Sequence, residues 1–255
     1  MREETNMSNK IILFLVTVFL LATAAPGIGA AQETAQNDSW KFTLSPYMWG
    51  TGLKGSTAIG QKKQDVDLGF SDILDALDIG AMVDFRAEKE RWSIGTNFLW
   101  VDLEDDADIG LLKVEIKPTL WIVELDGDYR LTDNWKLRGG IRYYELDIDI
   151  DFSGAETLSI GGSKEWADPF VGVGFSAPLS ERWSFAARGD IGGFGAGSDF
   201  SWQLWGLLEY RFGKQNSVAL GWRYLDFDYQ TGSGNINFEI DTYLSGPIAG
   251  VRIRF

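Results

Sequence analysis

The sequence contains no cysteine and no histidine among its 255 residues. Without cysteine there is no disulfide scaffold and no thiolate metal site. Without histidine the chain lacks the commonest imidazole ligand and the usual general base near neutral pH. A nucleophile motif of the G-x-S-x-G type is also missing. We therefore predict a protein that is not an enzyme and that carries no cofactor.

Positive charge is scarce as well. The chain has 23 Lys and Arg against 37 Asp and Glu, for a net charge of −14. Nucleic acid phosphates require basic surfaces, so a nucleic acid partner is not expected. After residue 39 no apolar run approaches the 18 residues of a membrane-spanning helix.

One apolar run stands near the N-terminus. The stretch "IILFLVTVFLLATAA" follows Lys10 and precedes the small residues "GIGAAQ". A basic start, a short apolar core and a small-residue exit are typical of a signal peptide. We predict a cleaved signal peptide at residues 1–31 and a short linker at 32–39, with an uncleaved membrane anchor as the alternative.

The remainder, residues 40–255, repeats a strand, a short polar turn and an aromatic that opens the next strand. The turns include "EKERW", "LTDNW", "LSERW" and "GKQNSV", and longer Gly- and Asp-rich connections alternate with them. This pattern predicts an all-β, up-and-down antiparallel transmembrane β-barrel. Eight or twelve strands are alternatives to the ten that we place near 40–51, 78–88, 91–103, 114–131, 135–150, 165–179, 183–194, 200–212, 217–228 and 239–255.

Each strand alternates between an apolar face and a polar or glycine-rich face. Aromatic residues mark both ends of the apolar faces, as in the girdles that flank a bilayer. Glycine is frequent on the other face, which a crowded barrel interior explains better than a surface in water. We therefore predict that the apolar faces contact lipid, between girdles formed by Trp40, Trp92, Trp135 and Trp183 at the tight-turn end and Trp100, Tyr143, Tyr224 and Tyr243 at the long-loop end.

The last strand, "PIAGVRIRF", is apolar at alternate positions and ends in phenylalanine. It resembles the terminal strand of Gram-negative outer-membrane β-barrels, in particular the small barrels of unassigned activity. The resemblance implies that Val251, Ile253 and Phe255 are recognised by the barrel-assembly machinery. It also implies a location in the outer membrane of a Gram-negative bacterium, with membrane lipid and lipopolysaccharide as partners.

The inward faces carry acids and bases in nearly equal number. Pairing across the turn "TDN" sets Glu124 opposite Arg142 and Asp128 opposite Arg138, and a second hairpin sets Glu209 diagonal to Arg223. Buried charges need such partners. We predict a lumenal charge network made of Asp84, Arg86, Glu124, Asp126, Asp128, Arg138, Arg142, Arg188, Asp190, Glu209, Arg211 and Arg223.

Beyond the long-loop girdle, several outward rows change from aromatic to acidic. In "YYELDIDIDF" the parity from Trp135 through Tyr143 sends the alternate acids outward. They predict solvated strand extensions or carboxylates bridged by cations to lipopolysaccharide phosphates. We predict no metal site, and Asp147 and Asp149 are only weak candidates, because acids on one strand face lie too far apart to enclose one ion.

The long connection at 52–77 contains "SDILDALDIG", in which Ser71 is a candidate N-cap for a short helix over residues 71–77. A plug, a lid and a rigid surface loop are equally open for this segment. For the whole chain, we predict a structural or narrow-pore barrel with a salt-bridged lumen. The alternative is an adhesin or receptor whose acidic extracellular loops bind a surface ligand or cation-bridged lipopolysaccharide.

Overall fold

A computed structural model describes residues 39–109, 112–153, 157–234 and 237–255. The predicted signal peptide at 1–31 and all but the last residue of the predicted linker at 32–39 lie outside this range. Across the described ranges, no helix has the length and hydropathy needed to cross a bilayer.

Thirteen strands and one short helix make up the described chain. The helix, α1, spans Phe70–Asp75. The strands are β1 (Lys41–Trp49), β2 (Gly52–Ile59), β3 (Lys62–Leu68), β4 (Leu77–Lys89), β5 (Trp92–Leu103), β6 (Asp105–Ile109), β7 (Leu112–Arg130), β8 (Trp135–Ser153), β9 (Thr157–Pro178), β10 (Trp183–Gly192), β11 (Phe200–Phe212), β12 (Asn216–Thr231) and β13 (Phe238–Arg254).

Ten of these strands close into a barrel. Their order is β1-β4-β5-β7-β8-β9-β10-β11-β12-β13, with antiparallel pairing between neighbours, and β13 pairs with β1 to close the ring. Strand β6 extends β5, since both pair with β7 in one register, as the pairs Asp102–Thr119 and Asp105–Ile116 show. The predicted all-β fold and the count of ten barrel strands are confirmed.

The connection at 52–77 is more ordered than predicted. It contains the hairpin β2–β3, and β2 pairs with the long-loop end of β13. Few residues of this hairpin alternate between apolar and polar types, so its sequence predicts strands only weakly. The turn between β2 and β3 contains Gly60, which has a φ of 62°. The predicted cap is wrong: α1 starts after Gly69, whose backbone N–H donates to the Asp72 carboxylate at 2.8 Å, and Ser71 lies inside the helix.

The predicted alternation holds along the barrel strands. In β8 the register against β7 and β9 runs without a shift from Trp135 to Ser153. Tyr144 therefore points inward and is fully buried, whereas Tyr143 and the acids that follow it at every second position point outward. No bulge reverses the strand after Tyr143, and the residues between the acids face the interior.

Inward glycines let the wall bend where strands approach closely. At Gly221 in β12, an added Cβ would overlap the backbone carbonyl oxygen of Gly206 on β11. Only glycine fits such an approach without moving a strand. Gly206 is the control position for Gly221, because an added Cβ there would meet no atom within 4 Å.

We expect Gly221→Ala to lower the free energy of unfolding by about 1–3 kcal/mol, the usual cost of overpacking. Gly206→Ala should leave it unchanged or raise it slightly, since alanine restricts the unfolded chain. Urea unfolding in lipid vesicles, followed by tryptophan fluorescence, measures both variants. Equal loss in the two variants would contradict the close approach at Gly221.

Candidate functional site

A layer of hydrogen-bonded polar side chains crosses the middle of the barrel. We call it the midplane layer; seven strands contribute one residue each, Tyr47, Asn97, Glu124, Arg142, Asp190, Gln203 and Arg223. Arg142 donates to Glu124 at 3.0 Å and to Asp190 at 2.6 Å. Gln203 donates to Glu124 at 2.9 Å and accepts from Arg223 at 3.0 Å. These contacts join opposite walls of the barrel.

The midplane layer is electrically balanced and closely packed. Two carboxylates face two guanidinium groups, and the side chains of Glu124, Arg142 and Arg223 have no accessible surface. Arg223 also stacks over the rings of Trp49 and Trp205, each with its central carbon 4.4 Å from the ring centroid. Such buried charges are tolerated because every one has a partner of opposite sign.

A second group of ion pairs lies between the midplane layer and the tight-turn end. Arg86 contacts Asp126 at 3.1 Å and Asp128 at 2.5 Å. Arg138 lies 3.3 Å from Asp126, and Arg188 donates to Asp84 at 3.2 Å. Together with the midplane layer, these pairs bring ten of the twelve predicted network residues into one interior region.

The other two residues are placed differently. Glu209 pairs with Arg252 and Arg254, not with Arg223. The reason is the register, since β11 and β12 pair Phe212 with Asn216, whereas a diagonal contact of Glu209 with Arg223 requires Phe212 to pair with Val218. Arg211 has inward parity but is exposed at the tight-turn rim, so its predicted place in the lumenal network is wrong.

Two cavities lie on either side of the midplane layer. The cavity at the tight-turn end has a volume of about 560 Å³ and is lined mainly by polar and charged residues, among them Arg86, Lys136 and Arg252. The cavity at the long-loop end measures about 1450 Å³. Apart from Tyr47, which borders both, no residue of the midplane layer lines either cavity. The layer therefore separates them.

The larger cavity, which we call the outer cavity, has apolar walls. Its lining includes the inward-facing residues Trp49, Leu53, Met82, Leu99, Val101, Leu120, Leu146, Trp166, Phe227, Ile240 and Leu244. Residues of α1 and of its flanks, Leu68, Phe70, Ile73 and Leu74, line it as well. Among the described residues of the lining, only Asp75 and Asp78 carry a charge.

The sequence contained a signal for the outer cavity that the analysis of charges missed. Beyond the long-loop girdle, the outward-facing positions of the strands are acidic and the inward-facing positions are apolar. In "ELDIDI" the inward residues are Leu146, Ile148 and Ile150. A strand end that leaves the bilayer has its apolar side inside, as in a soluble sheet.

The predicted girdle residues all face outward at the two ends of the apolar band. The rings of Trp92 and Tyr129 pack at a tilt with centroids 4.7 Å apart, and Tyr224 stacks on Tyr243 with centroids 5.2 Å apart. Trp121, which the sequence analysis did not include, joins the long-loop girdle 5.6 Å from Trp100. Trp202 also joins it, 4.5 Å from Tyr224.

Outward acids begin directly above the long-loop girdle. The Tyr143 hydroxyl donates to Glu165 at 2.7 Å and to Glu145 at 3.1 Å. Burial and the neighbouring carboxylate of Asp241 raise the pKa of Asp228. Within the described ranges, no group of three or more acids is arranged to hold a metal ion, and Asp147 and Asp149 remain separate on the outer face of β8.

The residues of the predicted assembly signal lie in and directly after β13. Val251 and Ile253 face outward, and the ring of Phe255 stacks on Phe42 of β1 with centroids 5.9 Å apart. The backbones of Phe42 and Phe255 also exchange two hydrogen bonds. These contacts close the barrel seam, and recognition by the assembly machinery stays a prediction.

We expect Arg142→Met to lower the free energy of unfolding by about 3–5 kcal/mol, because it leaves Glu124 and Asp190 buried without their shared partner. Arg254→Met is the control, since the Arg254 side chain is 42% exposed and Glu209 keeps Arg252. That change should cost about 0–1 kcal/mol. Urea unfolding in lipid vesicles measures both, and similar losses would contradict a special role of the midplane layer.

We also expect the folded protein to show no steady ion conductance in a planar bilayer. The central side chains of the midplane layer have almost no accessible surface, so we expect no continuous water path through the layer. A heat-dependent shift on a gel verifies the folded state of the same sample. Ohmic current steps that scale with protein concentration would show that the midplane layer does not close the lumen.

No protein-family model matches the chain, and neither does any curated protein sequence. The solved structure of the outer membrane protease OmpT from Escherichia coli is similar, with a TM-score of 0.59 and 10% identity, over 88% of this chain and 100% of OmpT. The attachment invasion locus protein Ail of Yersinia pestis has a TM-score of 0.41 and 11% identity, over 86% of this chain and 99% of Ail. The translocator domain of autotransporter NalP from Neisseria meningitidis has a TM-score of 0.43 and 12% identity over the full length of both chains.

At these identities the likeness concerns the fold alone, and the similarity to OmpT carries it. The closed barrel, with an apolar band between two aromatic girdles, agrees with the predicted location in the outer membrane. In barrels of this kind the short turns face the periplasm and the long loops face outward, so the outer cavity lies in the extracellular half. The chain is thus a closed ten-stranded β-barrel whose fold is similar to that of the outer membrane protease OmpT.

Proposed function

We propose that the protein is an outer-membrane receptor barrel that holds a small, neutral, apolar molecule in the outer cavity. The observation that carries this proposal is the cavity of about 1450 Å³, which has apolar walls and lies on the long-loop side of the midplane layer. Ligand pockets typically measure about 300–1,000 Å³ and are mostly apolar with few polar groups. The outer cavity has this composition, and its volume exceeds this range because part of it borders outward-facing residues such as Leu220 and Ala249.

The charges around the outer cavity favour a neutral ligand. Its lining contains no lysine or arginine among the described residues, and its two charged members, Asp75 and Asp78, would repel an anion. A cation would lose its hydration to reach the apolar walls, which is costly without a buried partner. The ligand that fits is therefore an uncharged molecule, such as a hydrocarbon or an ester.

One residue of the outer cavity has a buried donor without a partner. Trp49 is 4% exposed and lines the cavity. Its indole N–H has almost no accessible surface and no acceptor within the described part of the chain. A ligand with an acceptor atom would reach this donor only if the Trp49 ring moved, so the proposal does not depend on it.

The alternatives predicted from the sequence receive less support. A narrow pore conflicts with the midplane layer, whose central side chains have no accessible surface. A role for the outward acids in binding lipopolysaccharide through cations stays a prediction. We assign no catalytic step, because the outer cavity presents no nucleophile paired with a base among the described residues of its lining.

The test fills the outer cavity with a larger side chain. Leu146 faces inward on β8 and lines the cavity, so Leu146→Trp should weaken binding of the neutral probe N-phenyl-1-naphthylamine by at least about tenfold, or 1.4 kcal/mol. Probe fluorescence is titrated with the folded protein in amphipol and corrected for empty amphipol.

Leu137→Trp is the matched control, since Leu137 lies on the same strand, faces lipid and is 49% exposed. It adds the same bulk outside the barrel and should leave the affinity for the probe unchanged. An absence of saturable probe binding to the parent protein, or equal affinity in all three proteins, would refute the ligand site.

A further inference from the structure

The barrel wall is not fully paired at the level of the outer cavity. Strands β1 and β4 pair from Lys41–Glu88 to Pro46–Val83. Beyond that point, no pairing joins 47–49 of β1 to 80–82 of β4, although all of these residues are described. Instead, the chain continues after β1 as β2, which pairs with β13. Residues 80–82 of β4 pair with β5 alone. We call this unpaired segment the wall gap.

The outer cavity extends through the wall gap to the lipid-facing surface. Its lining includes Tyr47 and Trp49, which point inward, and Met48 between them, which points outward. It also includes Ala249, the partner of Met48 on β13, and Leu220, which is 63% exposed on the outer face of β12. A single cavity thus borders both faces of the barrel.

The wall gap lies at the height of the outer leaflet. In the β4–β5 register, Ala81 pairs with Trp100 of the long-loop girdle. On the other side, Ile248 pairs with Trp49, and the next residue of β13, Pro247, pairs with Trp222. Apolar side chains surround the outer mouth of the gap, including Ile79, which is 50% exposed. A molecule leaving here meets lipid, not water.

Helix α1 covers the upper edge of the wall gap. The ring of Phe70 packs against Gly50, directly after β1, where an added Cβ would meet a ring carbon at 3.0 Å. Unpaired backbone at membrane depth is tolerated where it is buried in protein or lines a water-filled cavity. Helix α1 covers the upper edge of the wall gap, and the rest of the gap borders the outer cavity.

From these contacts we infer that the ligand passes between the outer cavity and the outer leaflet sideways, through the wall gap between β1 and β4. This route presupposes the ligand site proposed above and adds the source of the ligand, which is a molecule dissolved in the membrane. The direction toward the tight-turn end is closed, because the buried midplane layer lies between the outer cavity and that end of the barrel. Above the long-loop girdle, the outer surface of the barrel is acidic, so it favours contact with water over contact with an apolar molecule.

The experiment closes the wall gap chemically. Since the chain has no cysteine, the double variant Met48→Cys/Ala81→Cys places two unique thiols on opposite sides of the gap, and a short bismaleimide joins them. The protein is reconstituted in phosphatidylcholine vesicles, and energy transfer from its tryptophans to N-phenyl-1-naphthylamine reports probe capture. We expect cross-linking to slow capture by at least about tenfold, because a closed gate limits the rate of exchange.

The control pair is Leu44→Cys/Phe85→Cys, which face outward and are already paired below the gap. Cross-linking this pair should leave the capture rate unchanged, and mass spectrometry verifies both cross-links. Protein that is loaded with probe before cross-linking at 48 and 81 should retain it longer than the control. Unchanged capture and release after complete cross-linking at the gap would overturn the sideways route.

The two proposals fail in different ways. If the parent protein and both uncross-linked variants bind no probe at equilibrium, the ligand site is absent and the sideways route is overturned with it. If they bind probe with equal affinity but the gap cross-link changes no rate, the ligand site stands and the sideways route is overturned.

Discussion

Unbroken alternation of side chains along paired strands is the constraint on which the other features of this barrel depend. Because each step along a strand reverses the face, one register assigns every residue to lipid or lumen. The hydrogen-bonded ring then holds that assignment from the tight-turn girdle up to the wall gap between β1 and β4, and every other neighbouring pair of barrel strands continues it to the long-loop girdle. In β8 the same register places Arg142 in the midplane layer and Leu146 in the outer cavity.

The interior consists of two environments with different consequences. In the periplasmic half and at the midplane, charges pair across the lumen and fill it. In the extracellular half, the charged side chains lie on the outer surface and apolar side chains line a cavity. The ligand site that we propose lies above the midplane layer, and the interrupted pairing between β1 and β4 is its proposed connection to lipid. The proposed function depends on two changes along the barrel: the lumen becomes apolar above the midplane layer, and the pairing between β1 and β4 ends.

Much of the charge network was predictable because it depends on neighbouring strands. Glu124 and Arg142 face each other across one turn, so local pairing was enough to join them. The contacts of Arg142 with Asp190 and of Arg223 with Tyr47 cross the lumen and span 48 and 176 residues of chain. Glu209 was assigned the wrong partner because the turn after β11 is two residues shorter than the predicted pairing implied.

The sequence by itself determined the strand pattern, the two girdles and the side to which each residue points, because these depend on a period of two and on residue type. Only the tertiary structure decided which charges meet across the lumen, since curvature and closure set those distances. It also decided where β1 leaves β4 and where β2 joins β13, because the hairpin β2–β3 has a weak pattern of its own. The outer cavity and its wall gap belong to this second class.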